Sequence, residues 1–153
     1  MAYFTKYTKN KDYFLNKDNL EVCYWAGFIA ADGCVHRKYY GVSFDLSERD
    51  AKHLELFAKA VGSNASVKYR VGSCGTPMAS FYINSIEFTK NLCENFNITP
   101  VKTHTLKPPL HLAYSSKLAY LAGLIDGDGC INIRRANVKG VKYDLSLTIT
   151  SVP

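Results

Sequence analysis

Two aspartates, Asp32 and Asp128, each close an apolar stretch interrupted by small residues: Trp25-Ala26-Gly27-Phe28-Ile29-Ala30-Ala31-Asp32-Gly33 and Leu121-Ala122-Gly123-Leu124-Ile125-Asp126-Gly127-Asp128-Gly129. Small side chains at Ala26, Gly27, Ala30, Ala122 and Gly123 let two helices approach backbone to backbone, and each helix then ends in one carboxylate. A carboxylate at a helix C-terminus faces the negative end of the macrodipole, which costs a few tenths to about 1 kcal/mol. Two such groups in one place also repel and tend to share a proton. A divalent cation removes both objections. Oxygen-only ligands with open water positions suit Mg²⁺, with Mn²⁺ able to substitute, and a phosphodiester supplies further oxygens. The chemistry open to this pair includes phosphodiester hydrolysis, in which a metal-bound water attacks phosphorus in line and the metal stabilises the departing 3′ oxygen.

The elements that must position these acids can be read along the chain. Residues 1–20 are polar and lysine-rich with interspersed aromatics and read as an N-terminal arm or short lead-in helix packed on the first half-domain. Glu21 to Asp32 is the first motif helix, closed by Gly33 as a left-handed stop. Val35 to Tyr40 and Gly41 to Leu46 follow as an antiparallel pair, the second run alternating as a half-buried strand does. Ser47 caps a helix whose Leu54, Phe57, Ala58 and Val61 recur at helical spacing until Gly62. Ala65 to Val71 and Met78 to Asn84 are a second strand pair, split by the turn-rich Gly72 to Pro77. Ser85 caps a helix from Ile86 to about Phe96. Residues 99–115, with Pro100, Pro108 and Pro109, are a linker. Ser115 or Ser116 caps the second motif helix, and Cys130 to Arg135 with Lys142 to Thr150 restart the strand pair.

Tyr24 to Cys34 aligns with Tyr120 to Cys130, with identities at Tyr, Ala, Gly, Ile, Asp, Gly and Cys. This doubled segment resembles the motif of the LAGLIDADG homing endonucleases, and the second copy matches the nine-residue signature almost letter for letter. Ala30 departs from the pattern where the second copy has Asp126, and Trp25 replaces a leucine. The resemblance implies an α+β fold with an αββαββα half-domain over residues 21–98, its antiparallel sheet curved into a saddle. Residues 116–153 then begin a second, pseudo-symmetric half-domain, as in the two-motif, free-standing, phage-type branch of the family. It implies Asp32 and Asp128 as catalytic metal ligands, helped by the carbonyls of Ala31 and Gly127. It also places a basic active-site residue at Lys102, which by its surroundings in sequence reads equally well as an exposed linker lysine. Asp45 and Thr148 fall where the family orders waters over the scissile phosphates. His104 and His111 lack metal-ligand spacing and read as surface histidines.

An antiparallel ribbon fits the major groove of B-DNA. Its outward-facing residues here would be His36, Arg37, Lys38 and Tyr40 in the first pair and Lys68, Tyr69 and Arg70 in the next. The second half would add Arg134, Arg135, Lys139 and Lys142. Nineteen Lys and Arg against thirteen Asp and Glu, a formal charge of +6, suit a polyanionic partner. The reading is thus a Mg²⁺-dependent double-strand DNA endonuclease that mobilises its own gene. The alternative is a non-cleaving nucleic-acid-binding protein, either an RNA maturase or a degenerate remnant of the fold. An intein is disfavoured, since no splicing segments flank the motifs.

Five cysteines with no C-x-x-C pair read as reduced thiols of a cytoplasmic, intracellular protein. Val22 to Ala31 is too short an apolar run to span a bilayer, so no membrane is implied. The repeat offset leaves room for about a third of a second unit before Pro153. The expectation is a fragment, a truncated frame, or a half-domain completed by a second chain.

Overall fold

The computed structural model describes residues 7–37, 40–138 and 140–149, with side chains placed outside residues 103–104, 131–145 and 149. Helix α1 (Leu20–Asp32) starts at Asn19, whose side chain accepts from the Glu21 and Val22 amides at 2.9 and 3.3 Å and satisfies two donors of the open first turn. β1 (Cys34–His36) and β2 (Gly41–Ser47) follow, then a 3₁₀ turn (Glu48–Asp50) and α2 (Ala51–Ala60). β3 (Lys68–Val71), β4 (Pro77–Asn84) and α3 (Ile86–Phe96) complete the αββαββα unit expected from the sequence. A single helical turn, α4 (Lys102–Thr105), leads to α5 (Tyr114–Asp128) and the hairpin of β5 (Gly129–Val138) and β6 (Gly140–Ile149). The four strands of the first unit form one antiparallel sheet in the order β1-β2-β4-β3. No helix among the described residues is long and apolar enough to cross a membrane.

Several local expectations change. Gly33 has φ −76° rather than a left-handed turn. Closeness explains it instead, because a Cβ at Gly33 would lie 2.7 Å from the Ile29 side chain and 2.8 Å from its carbonyl oxygen. Ser47 does not cap α2: it is still extended and paired with Met78, and Asp50 precedes the helix. β1 stops at His36, leaving Arg37 and Tyr40 in the turn, and β3 begins only at Lys68. Ser115 and Ser116 lie inside α5, which starts after Ala113 without a side-chain cap.

Strand alternation fixes two faces. Val42, Phe44, Ala79, Phe81 and Ile83 point inward and are buried with Phe28, Leu54 and Phe57. Phe44 stacks on Phe28 at 5.5 Å and meets Phe57 edge-on at 5.1 Å. The N-terminal segment packs on the first unit, with a 3₁₀ turn over Tyr13–Leu15. Phe14 is fully buried against Phe88 and Phe96, and Phe96 in turn stacks on Tyr120 of α5, so the arm, α3 and the second motif helix share one aromatic cluster. Each such ring contributes roughly 1.5–3 kcal/mol by leaving water.

Candidate active site at the crossing of two helices

α1 and α5 meet through their glycines. A Cβ at Gly27 would sit 1.9 Å from the Tyr120 carbonyl oxygen and 3.0 Å from the Leu124 nitrogen, and one at Gly123 would sit 1.9 Å from the Tyr24 carbonyl oxygen and 2.8 Å from the Phe28 nitrogen. The two sets of contacts are reciprocal across the sequence repeat, as a local twofold axis requires. One turn further on, a Cβ at Gly127 would lie 2.3 Å from the Ala31 Cβ and 3.3 Å from Asp32 Oδ2, so the two helix ends run together.

The helix-seam residues divide. Gly27 and Gly123 form the crossing. Ala26 and Ala30 are buried, but Ala26 lies more than a right angle around α1 from Gly27 as the helix turns, toward the first unit's core. Ala122, its counterpart, is exposed and is not at the seam. The same contrast runs along the whole helix. Val22, Trp25 and Ile29 are 3%, 4% and 0% exposed, whereas their repeat partners Leu118 and Leu121 are 49% and 40% exposed and Ile125 is half-buried. The outer face of α5 carries a core pattern without a core over it among the described residues.

Asp32 is half-buried and Asp128 exposed. Desolvation, then the Asp128 carboxylate, raise the proton affinity of Asp32 above the ordinary aspartate range; Lys102 opposes the shift, Asp50 adds to it and His53 opposes it. Lys102 is not an exposed linker lysine. Its Nζ donates to the Ala30 and Ala31 carbonyl oxygens, both at 2.5 Å, at the negative end of the α1 dipole. Burial lowers its pKa, while Asp128, Asp32 and Cys34 pull the other way. The donor set of two carboxylates with adjacent carbonyls is hard and anionic, which suits a small divalent cation. Among the described residues no group of three or more His, Cys, Asp and Glu side chains is arranged as a metal cage, so main-chain oxygen and water would have to complete the shell.

A polar cavity of about 300 Å³ opens beside Asp32, lined by Phe28, Leu46, Asp50, His53, Asp126 and Gly127. Tyr24 Oη donates to Asp126 Oδ2 at 2.7 Å and lies 3.1 Å from His53 Nε2, which links α1, α5 and α2. Burial lowers the His53 pKa, opposed by Asp126, Asp50 and Asp32. Sequence reasoning missed Tyr24 and His53 as site residues. The available signals were Asp126 standing where the first repeat has Ala30, and a histidine one helical turn before Phe57 on the apolar side of α2.

The outward face of the sheet carries Cys34 and His36 on β1, Ser43 and Asp45 on β2, Ser80 and Tyr82 on β4, and Lys68 and Arg70 on β3. His36 Nε2 meets Ser43 Oγ at 2.6 Å. Tyr69 is removed from the DNA-facing set: it pairs with buried Ala79, on the opposite face, and its hydroxyl reaches Glu55 of α2 at 3.5 Å. Asp45 accepts Arg70 in an ion pair at 2.9 Å. Arg37 and Tyr40 are exposed in the β1–β2 turn. A groove of about 660 Å³ over this face also takes Tyr7 and Lys9 from the arm, which the sequence did not single out. The arm is tied down by the Thr8 amide on Asn64 Oδ1 and the Asn10 amide on the Val61 carbonyl, both at 2.8 Å.

In the hairpin, Arg134 pairs with Asp144, Arg135 with Tyr143 and Ala136 with Lys142 along the backbone. The side chains of Arg134, Arg135 and Lys142, and Lys38 and Lys139 altogether, lie outside the described residues, as does the side chain of His104. Thr148 is exposed and pairs with Cys130. His111 Nε2 lies 2.9 Å from the Asn95 carbonyl oxygen.

No family model and no curated protein matches the chain. The solved structures similar to it in fold include two meganucleases. One is meganuclease I-SmaMI bound to uncleavable DNA with a TTGT central four, at 16% identity over 84% of this chain and 64% of that one, with a TM-score of 0.47. The other is LAGLIDADG meganuclease I-AabMI bound to uncleaved DNA, at 16% identity over 84% and 65%, with a TM-score of 0.42. The chain thus spans a little under two thirds of the length of either meganuclease.

Proposed function

We propose that the chain acts in site-specific cleavage of both strands of duplex DNA by Mg²⁺-dependent phosphodiester hydrolysis, as the homing endonucleases that its doubled motif resembles do. One observation carries this reading: across a seam too tight for a single methyl group, a Cβ at Gly127, the residue before Asp128, would lie 3.3 Å from Asp32 Oδ2, so the two acid-bearing helix ends are held together. A divalent cation held by Asp32, Asp128 and the carbonyls of Ala31 and Gly127 would supply a water of lowered pKa and charge for the departing 3′ oxygen. The carboxylates bind and orient by charge. Lys102 Nζ uses one lone pair of the Ala31 carbonyl and leaves the other for a cation; from this seat its ammonium interacts with both acids and can offset charge on the phosphate. The outward sheet face, with Lys68, Arg70, His36 and Lys9, would hold the duplex through phosphate and base contacts, so binding should weaken steeply with salt.

The second reading, a nucleic-acid-binding protein that does not cut, is favoured by Lys102 already seated on the Ala31 carbonyl. A randomised duplex library incubated with the protein and Mg²⁺ separates the two. Cleaved sites support the endonuclease, whereas retained fragments with no cut ends support the binder. Asp32→Asn and Asp128→Asn should each abolish cutting and preserve binding in Ca²⁺; undiminished cutting by either variant removes that residue from the mechanism.

A further inference from the structure

We propose that Asp45 is a specificity-determining residue that positions Arg70 to read one G·C base pair. This rests on the duplex-binding role of the outward sheet face. Arg70 on β3 reaches across β4, past Ser80, to Asp45 on β2. Its Nε and Nη2 converge on the same carboxylate oxygen, Oδ1, at 3.3 and 2.9 Å. That contact uses the side edge of the guanidinium. The end edge, formed by Nη1 and Nη2, still presents two parallel donors, which match the O6 and N7 acceptors of guanine in the major groove. The second carboxylate oxygen, Oδ2, remains an acceptor of the kind that takes the cytosine N4 amine.

Stability does not account for the pair. The two side chains are 49% and 56% exposed, and ion pairs so placed add little to folding. Nor does affinity: a carboxylate on a face that meets phosphates weakens attraction to every sequence alike. Orientation does account for it, because a guanidinium tied at one edge is biased away from the nearest phosphate and so penalises sites that lack the guanine.

The test measures binding of the full chain to a randomised duplex library in Ca²⁺, sequencing the bound fraction at two salt concentrations. The wild type should show a guanine preference at one position. Arg70→Ala should reduce it by roughly 5- to 150-fold, the range for losing one bidentate base contact. Asp45→Ala should erode the preference at that same position while raising affinity for unselected DNA and steepening the salt dependence. The double variant should lose no more preference than Arg70→Ala alone. Asp45→Ala with every positional preference intact overturns the inference, as does Arg70→Ala that weakens all sequences equally. Wild-type protein that binds no duplex at any sequence overturns the duplex-binding reading itself, a distinct result.

Discussion

Replacing Gly27 by alanine puts a methyl carbon 1.9 Å from the Tyr120 carbonyl oxygen, where ordinary contact begins near 3.4 Å. Relief along the shortest line therefore needs about 1.5 Å of movement, and the obstacle is main chain, which has no rotamer to escape into. Overpacking of this kind costs about 1–3 kcal/mol, and a rigid obstacle puts the cost at the upper end. For a chain of this length that is a fall in Tm of roughly 6–12 °C. The effect on chemistry is larger. Each seam glycine lies five residues before its aspartate, so forcing the helices apart displaces the acids from one another. Misplacement by about 1 Å costs on the order of 100-fold in rate. Thermal unfolding by circular dichroism and single-turnover cleavage of a selected target measure both. Gly123→Ala meets the Tyr24 carbonyl oxygen at the same 1.9 Å and should match Gly27→Ala in both assays. Ala122→Ser, exposed one residue away, should stay within about 0.5 kcal/mol of wild type. A Gly27→Ala protein that melts and cuts like wild type refutes the reasoning, and so does a large difference between the two glycine variants.

Three further outcomes follow from the same geometry. Because the folded state raises the Asp32 pKa above its ordinary 3.8, folding takes up a proton above that pH, and this group's contribution to stability falls as pH rises from 3.8 through the raised value. Asp32→Asn should flatten that slope and raise the neutral-pH Tm of metal-free protein, and a Tm below wild type there contradicts the assignment. Trp25→Ala should cost about 3–5 kcal/mol, whereas Leu121→Ala at the equivalent exposed position should cost about 1 kcal/mol or less in urea unfolding; equal costs would mean that α5 has a covered outer face in solution. Tyr24→Phe removes the hydroxyl that joins Asp126 and His53, at about 0.5–1.5 kcal/mol. A double-mutant cycle with Asp126→Ala should show coupling between the two, and strict additivity would show that the bond does not hold α5 to α1.

What could be read from the chain was whatever repeats or alternates. The αββαββα order was legible because Leu54 and Phe57 recur at helical spacing and Val42, Phe44 and Leu46 alternate, and those patterns are local. Gly27 and Gly123 were legible because the segment occurs twice. Other features depend on residues far apart in sequence. Lys102 reaches α1 across about 70 positions, and Tyr24 reaches Asp126 across 102. Nothing in the composition around Pro100 to Pro109 distinguishes a seated ammonium from a solvated one; only the family resemblance pointed to Lys102. Tyr69 was misassigned for a simpler reason. It is flanked by Lys68 and Arg70, and a count of basic and aromatic residues ignores that adjacent strand positions face opposite ways. Ser47 looked like a cap because its residue type suits one, yet a 3₁₀ turn over Glu48–Asp50 separates it from α2 and its side chain makes no capping bond.

The repeat imposes a near-symmetric seam, but the surroundings of the two acids are not symmetric. The carbonyls at the end of α1 hold an ammonium, and Asp32 beside them is half-buried with a raised proton affinity. At the end of α5 Asp128 is exposed, and the charge nearest it in sequence, Asp126, is engaged by Tyr24 rather than by a cation. Single positions contribute to the difference. Alanine at 30 leaves a buried, neutral wall on one side, whereas aspartate at 126 brings a charge that needs a donor on the other. Two identical side chains presented by matched helices therefore sit in unlike fields, although the Lys102 ammonium interacts with both of them. Backbone geometry sets where the acids are. The residues that break the repeat decide how each one behaves.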